Sequence, residues 1–158
     1  MSKFIAWLYD LEMRMAAGKL DPRRQSLLNN VEGRTLEVGV GTGQNLRFYQ
    51  PDSWVVGIDP DPDMLGRAQT RVVEAAAPVH LMAAAGESLP FAAGAFDAVV
   101  VTLALCSVRS QDQVLREIHR VLKSGGKLHF MEHVRSPGPG WARFQDVVTP
   151  AWKKVASG

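Results

Sequence analysis

Hydrophobic and polar positions change period along this chain, and each change marks an element. Phe4, Ile5, Leu8, Leu11 and Met15 recur three or four apart, so residues 3–17 are predicted as an amphipathic helix. A second short helix is predicted over residues 22–30. Short apolar runs follow at residues 34–40, 54–59, 79–83, 96–105 and 127–134, each of strand length. The run at 96–105 is almost wholly apolar, as a central parallel strand is. Helical segments fall between the runs. Residues 44–49 form one that stops before Pro51. Another starts at Asp61 as N-cap, with Pro62 in its first turn. It buries Met64, Leu65, Ala68, Val72 and Val73 and is ended by Pro78. Ser110 and Gln113 form a capping box for a helix that buries Val114, Leu115, Ile118, Val121 and Leu122 and ends at Ser124-Gly125-Gly126. Strands alternating with helices at this rhythm predict a parallel α/β sheet.

Composition narrows the class. A chain of 158 residues, 46% of them hydrophobic, makes one domain with a substantial core. The net charge is +2 with acids and bases interspersed, so nucleic-acid binding has no electrostatic footprint. Cys106 is the single cysteine, which excludes a disulfide framework and fits a reducing cytoplasm. The amino-terminal residues lack a secretory pattern, and no apolar run approaches the length of a spanning helix. The histidines and the cysteine show no metal-ligand spacing, so no metal is expected.

The chemistry lies at the end of the first strand. The segment Leu36-Glu37-Val38-Gly39-Val40-Gly41-Thr42-Gly43-Gln44-Asn45 carries three glycines at alternate positions, and the next strand ends in Asp59. Glycines let a backbone approach a ligand closely, and an acid ending the second strand can accept both ribose hydroxyls. The dinucleotide spacing fails, because its third glycine would fall at Gln44 or Leu46. No triphosphate-binding loop is present either. A carboxylate beside the turn, Glu37, suits a cationic ligand. S-adenosylmethionine, with its sulfonium and amino group, meets that demand. The competing reading is a plain glycine-rich turn between strand and helix.

Four blocks carry a wider resemblance: Leu36 to Gly43, Gly57 to Leu65, Glu87-Ser88-Leu89-Pro90-Phe91 with Phe96-Asp97, and Leu115 to Gly126. Together they resemble the class I S-adenosylmethionine-dependent methyltransferases, over roughly residues 9 to 154. Thr102 to Val108, Phe130-Met131-Glu132-His133-Val134 and Pro150-Ala151-Trp152 are similar to a narrower group, the methyltransferase-like 7 and UbiE-like small-molecule methyltransferases. The resemblance implies a Rossmann-like sheet in the order 3-2-1-4-5, with helices on both faces. It implies a methyltransferase that uses S-adenosylmethionine on a small acceptor: a thiol, a quinol or a lipid head group. Carried over by position, Glu37 approaches the methionine amino end. Gly39, Gly41 and Gly43 allow close approach, with Thr42 and Asn45 in the same cradle. Asp59 takes the ribose hydroxyls, and Pro60 and Met64 pack on the adenine. Leu103 lies by the methionine portion. Ala85 stands where many relatives carry an aspartate toward the adenine amino group, so backbone atoms of Gly86 or Glu87 take that place.

The family's sheet has two strands beyond the fifth, which this sequence does not supply. One domain is therefore expected over residues 1–158, shortened at its carboxyl end. The fifth strand, with Leu128, Phe130 and Met131, would then be an open edge. Three explanations stand: a shortened chain, a proteolytic fragment, or a chain that pairs with a second copy. The segment from Trp141 to Trp152 also has the length to fold over that edge. A relative that binds the cofactor, transfers nothing and acts by dimerisation is the alternative function. His133, at the carboxyl end of the fifth strand, is the candidate base for a protonated acceptor. The plainer reading is a histidine hydrogen-bonded to its loop. Tyr9 is read as lining the acceptor pocket or packing in the core, and the first helix as a cap, a lid or a membrane-surface contact.

Overall fold

The computed structural model describes residues 3–132. Within residues 3–16, only the side chains of Trp7, Leu11 and Met15 are described. Five parallel strands, β1 (Gly33–Val38), β2 (Ser53–Asp59), β3 (Val79–Ala83), β4 (Phe96–Thr102) and β5 (Leu122–Met131), form one sheet in the order β3-β2-β1-β4-β5. Among the described residues three α-helices accompany them, α1 (Lys3–Leu28), α2 (Pro62–Arg71) and α3 (Gln111–Val121). The strand order reverses between β1 and β4, and such a point opens a crevice beyond the carboxyl ends of the strands.

The strand pleat sorts side chains onto two faces, and helices cover both. Leu36 and Val38 of β1, Val56 and Ile58 of β2, and Val99 and Val101 of β4 pack with Val114, Ile118 and Val121 of α3. Val55, Ala98 and Val100 point the other way and pack with Leu28 at the end of α1, Val31, Leu46 and Tyr49, flanked by Leu65 of α2. Every strand between the edges is thus buried on both sides, which explains the near-continuous apolar runs.

Local side-chain chemistry sets two helix starts where the sequence predicts them. The Asp61 carboxylate accepts the N–H groups of Asp63 (2.8 Å) and Met64 (3.3 Å), with Pro62 opening α2. Ser110 Oγ accepts the Gln113 N–H at 3.3 Å and opens α3. The loop before β4 is held by α3. Glu117 accepts the Leu89 N–H at 2.8 Å, and Arg120 donates to the carbonyls of Leu89 and Phe91 at 2.9 and 2.7 Å.

Several boundaries differ from the sequence reading. The two predicted amino-terminal helices are one helix, α1, which runs through Pro22. Proline there forfeits a single N–H bond. Asp21 beside it takes ion pairs from both Arg24 and Arg47. Leu11 and Met15, on the apolar stripe of the predicted amphipathic helix, are exposed, Met15 at 75%. The helix predicted over residues 44–49 is a single 3-10 turn, Leu46–Phe48. The helix beginning at Asp61 ends at Arg71 and passes into the 3-10 turn Val72–Glu74, short of Pro78, and Val73 is exposed. β4 stops at Thr102, three residues early, because the chain turns sharply at Leu103.

The carboxyl-terminal glycines of α3 are not its cap. α3 ends at Val121, and Ser124-Gly125-Gly126 lie within β5. Phe96 pairs with Leu122 and Ala98 with Lys127, so residues 123–126 bulge opposite Asp97. Gly125 has φ +80°, and a Cβ on Gly126 would lie 3.0 Å from the Asp97 carbonyl oxygen. Lys123 Nζ closes the bulge on Asp97 Oδ1 at 2.7 Å. Among the described residues β5 is an edge strand, and Phe130 is 61% exposed on it.

Candidate functional site

The three glycines after β1 perform separate jobs. Gly39, Gly41 and Gly43 all have positive φ, at 74°, 55° and 81°. A Cβ on Gly39 would stand 2.5 Å from the Ala104 Cβ, so Gly39 admits the loop that follows β4. A Cβ on Gly43 would stand 3.0 Å from Ala68 Cα, so Gly43 lets α2 pack close. A Cβ on Gly41 would meet only the Gly39 carbonyl oxygen, at 4.0 Å. Gly41 alone borders open space, at the carboxyl end of β1.

Asp59 ends β2 beside that space. Its Oδ2 accepts the Gly41 N–H at 3.0 Å and its Oδ1 the Asp61 N–H at 2.9 Å. A carboxylate has about four lone-pair positions, so acceptor capacity remains on both oxygens. Burial raises its pKa; the two N–H bonds oppose the shift, and the neighbouring Asp61 charge adds to it.

Glu37 is placed differently from a surface ligand. It points to the face covered by α1 and is 1% exposed. Oε1 accepts from Asn45 Nδ2 at 2.7 Å and Oε2 from the Tyr49 hydroxyl at 2.9 Å. Burial pushes the carboxyl up to about 7, against the Tyr49 and Asn45 hydrogen bonds and the charge of buried Arg24. Tyr49 is itself held well above the ordinary phenol value by burial and by the Glu37 charge.

Asn45 joins the two central strands. Its Nδ2 also donates to Thr102 Oγ1, at 2.8 Å, so both amide hydrogens are committed. The amide is therefore fixed with its oxygen turned away from Glu37. That oxygen, Oδ1, is buried and accepts no hydrogen bond from the described residues. A buried acceptor of this kind is costly unless a ligand or water fills it.

This arrangement matches a known family. A model described as a methyltransferase domain matches residues 36–130, from β1 nearly to the end of β5. The chain belongs to the methyltransferase domain family. Thiol S-methyltransferase TMT1B of Homo sapiens is 37% identical over 155 residues, covering 89% of this chain and 62% of its own length. A ubiquinone/menaquinone biosynthesis C-methyltransferase UbiE, of Syntrophotalea carbinolica, is 33% identical over 144 residues, covering 85% of this chain and 60% of its own. The chain thus spans about six-tenths of the length of these curated relatives. Among solved structures, the YcgJ protein from Bacillus subtilis superposes with a TM-score of 0.69 at 21% identity, over 86% of this chain and 64% of that one, and shares the fold.

The remaining sequence-predicted residues of this methyltransferase domain lie on strand ends, on α2 and in the loops before β4 and α3. Thr42 is buried; its hydroxyl accepts from Gln44 at 3.4 Å and its carbonyl from Arg71 at 2.6 Å. Pro60 is exposed directly after Asp59, and Met64 is buried one turn into α2. Gly86 sits between β1 and α3, where a Cβ would lie 3.0 Å from Val38 Cγ1. Glu87 Oε1 accepts the Arg109 N–H at 2.8 Å. The Ala85 carbonyl is taken by the Ser88 N–H at 3.2 Å. Leu103 lies at the carboxyl end of β4 with φ 55°, a left-handed conformation that branched residues rarely adopt. Cys106 is half-buried against the Leu103 carbonyl, Sγ to oxygen 3.6 Å. His133 and the segment from Trp141 to Trp152 lie outside the described residues, as does the side chain of Tyr9.

Tyr49, Arg24 and Thr102 were not singled out in the sequence. Tyr49 reaches Glu37 from 12 residues away, Thr102 reaches Asn45 from 57 residues away, and Arg24 comes from α1, so no local spacing announces these contacts. Among the described residues no three His, Cys, Asp or Glu side chains group as metal ligands.

Proposed function

We propose that this methyltransferase domain binds S-adenosylmethionine at the carboxyl ends of β1, β2 and β4 and transfers its methyl group to a small molecule. The observation that carries the reading is the buried, unfilled oxygen of Asn45. A cationic amino group is the natural donor for it, with the Glu37 carboxyl directly behind. Two features support the rest of the ligand. Asp59 keeps acceptor capacity for a pair of ribose hydroxyls, and Gly41 leaves room for close approach of the backbone. Pro60 and Met64, with the backbone at Gly86 and Glu87, are the adenine side of this reading, and Leu103 the methionine side. The cofactor, when bound, supplies a methyl carbon already activated by its sulfonium. The chain's own residues then bind, orient and exclude water, and alignment alone supplies several kcal/mol of the barrier reduction.

A thiol, a quinol or a lipid head group is the acceptor class. Relatives named for thiol, ubiquinone/menaquinone and phosphatidylethanolamine methylation support all three classes. A thiol with a free pKa of about 8.5 gains from a nearby base, and His133 is the candidate. The cytoplasm is the proposed compartment. Trp7, Leu11 and Met15 are exposed one helical turn apart on α1, which supports peripheral contact with a membrane surface. No helix among the described residues is long and apolar enough to cross a membrane. Exposed Leu128 and Phe130 on β5 support a homodimer through that edge. A monomer mass at micromolar concentration would remove the dimer. The alternative of binding without transfer has no support in the relatives, which are named as methyltransferases.

The test is mass-spectrometric detection of methylated product with S-adenosylmethionine and a panel of thiols, quinols and phospholipid vesicles. Transfer to one class, reduced in Asp59→Ala at limiting cofactor, is expected. Transfer to none, by protein that binds the cofactor, would favour the non-catalytic reading.

A further inference from the structure

The turn after β4 is held from one place. Leu103 adopts φ 55°, which a leucine avoids unless its surroundings impose it. Three successive N–H groups emerge from this turn, and all three are bound by the end of β5. The Leu103 N–H donates to the Met131 carbonyl at 2.8 Å. The Ala104 and Leu105 N–H groups both donate to a single oxygen, Glu132 Oε1, each at 2.8 Å. β4 and β5 are in register at Thr102 and Met131, so Glu132 reaches the turn from the adjacent strand.

The turn in turn fixes the glycine segment. Ala104 occupies the notch that Gly39 leaves, where any Cβ on Gly39 would lie 2.5 Å from the Ala104 Cβ. Thr102, one residue before the turn, holds the Asn45 amide at 2.8 Å. A displacement of residues 103–105 would therefore loosen both walls of the crevice between β1 and β4. Hydrogen bonds to an ionised carboxylate are about twice as strong as neutral ones, which suits a group that must hold a strained turn.

We propose that Glu132 is a positioning residue of the cofactor site, acting through the backbone of Ala104 and Leu105 rather than by touching the ligand. The inference rests on the reading of this crevice as the S-adenosylmethionine site. It gives the carboxylate of the fifth strand a role distinct from that of the neighbouring histidine.

The test uses the full chain with S-adenosylhomocysteine as calorimetric probe, and amide hydrogen exchange on the ligand-free protein. Glu132→Ala is expected to lose about tenfold or more in affinity, the loss of two charge-assisted hydrogen bonds, with its far-ultraviolet spectrum unchanged. Exchange protection is expected to fall at Ala104 and Leu105 in particular. Glu132→Gln keeps an acceptor oxygen at the same reach without the charge and is expected to lose clearly less affinity than alanine. Wild-type affinity in Glu132→Ala, or equal losses in the alanine and glutamine variants, would overturn the proposal. Should alanine fail to fold, Glu132→Asp keeps the charge and withdraws the oxygen by one methylene. It loses affinity under the proposal, and full affinity there would overturn it. If the wild-type chain does not bind the probe, the reading of the site fails. Unchanged protection at Ala104 and Leu105 in the ligand-free variants would then overturn the clamp separately.

Discussion

Glu37→Gln should change how the stability of this domain depends on pH. The buried Glu37 carboxyl titrates at about 7 in the folded chain, against 4.5 when unfolded. Between those values the native state holds a proton that the unfolded state has released. Stability from this group is therefore fully present below pH 4.5 and is lost as pH rises through about 7. Burial of the charge is the largest cause, so the loss marks the pH range in which the folded state must carry an unscreened carboxylate. At about 1.4 kcal/mol per pH unit, the gap is worth about 3 kcal/mol. Glutamine has nearly the same shape and does not titrate. Its amide changes the hydrogen bonds with Asn45 and Tyr49, but that offset is constant with pH. Asp59, whose pKa is also raised, is present in both proteins and cancels in the comparison. Urea unfolding of both proteins at half-unit steps from pH 4.5 to 8 is the assay. The variant should gain on the wild type by about 3 kcal/mol across that range, with most of the gain between pH 5 and 7. Parallel stability curves would refute the reasoning, and would mean that Glu37 is ionised throughout.

Four further outcomes follow from the same geometry. Asp59→Ala should weaken S-adenosylhomocysteine binding by about 1–3 kcal/mol in calorimetry, the value of hydrogen bonds to a charged group. Gly43→Ala forces a Cβ against the backbone of Ala68 at φ +81°, so it should lower unfolding stability by about 2 kcal/mol in urea titration. Gly41→Ala, at φ +55° over open space, should cost about 1–2 kcal/mol of stability from backbone conformation and reduce ligand affinity in addition. Phe96→Ala removes a fully buried ring that packs edge-on against Phe91, and should cost about 3–5 kcal/mol in the same unfolding assay.

Elements fixed by short-range chemistry were legible in the sequence. Asp61 and Ser110 announce their helices because an N-cap acts on N–H groups two and three residues ahead. The parallel α/β sheet was legible in the strand–helix rhythm, while its order, 3-2-1-4-5, came from the family resemblance. Elements fixed by partners distant in sequence were not. Ser124-Gly125-Gly126 reads as a helix end, yet its glycines serve a bulge opposite Asp97, 26 residues from Lys123. Leu11 and Met15 keep helical spacing, but spacing identifies a face and not what covers it. At the site, Asp59 and the glycines were legible because strand ends and backbone room are local properties. The burial of Glu37 was not, since it depends on Tyr49 and Arg24 arriving from other elements. The hold of Glu132 on Ala104 and Leu105 likewise joins two strands that only the folded sheet brings together.

The central claim is that the crevice between β1 and β4 binds S-adenosylmethionine. Calorimetric titration of the chain with S-adenosylhomocysteine, repeated on Asp59→Ala, tests it most directly. Saturable one-to-one binding in the micromolar range, weakened in the variant, is the predicted result. Absence of binding by a protein shown to be folded, or equal affinity in the variant, would contradict it.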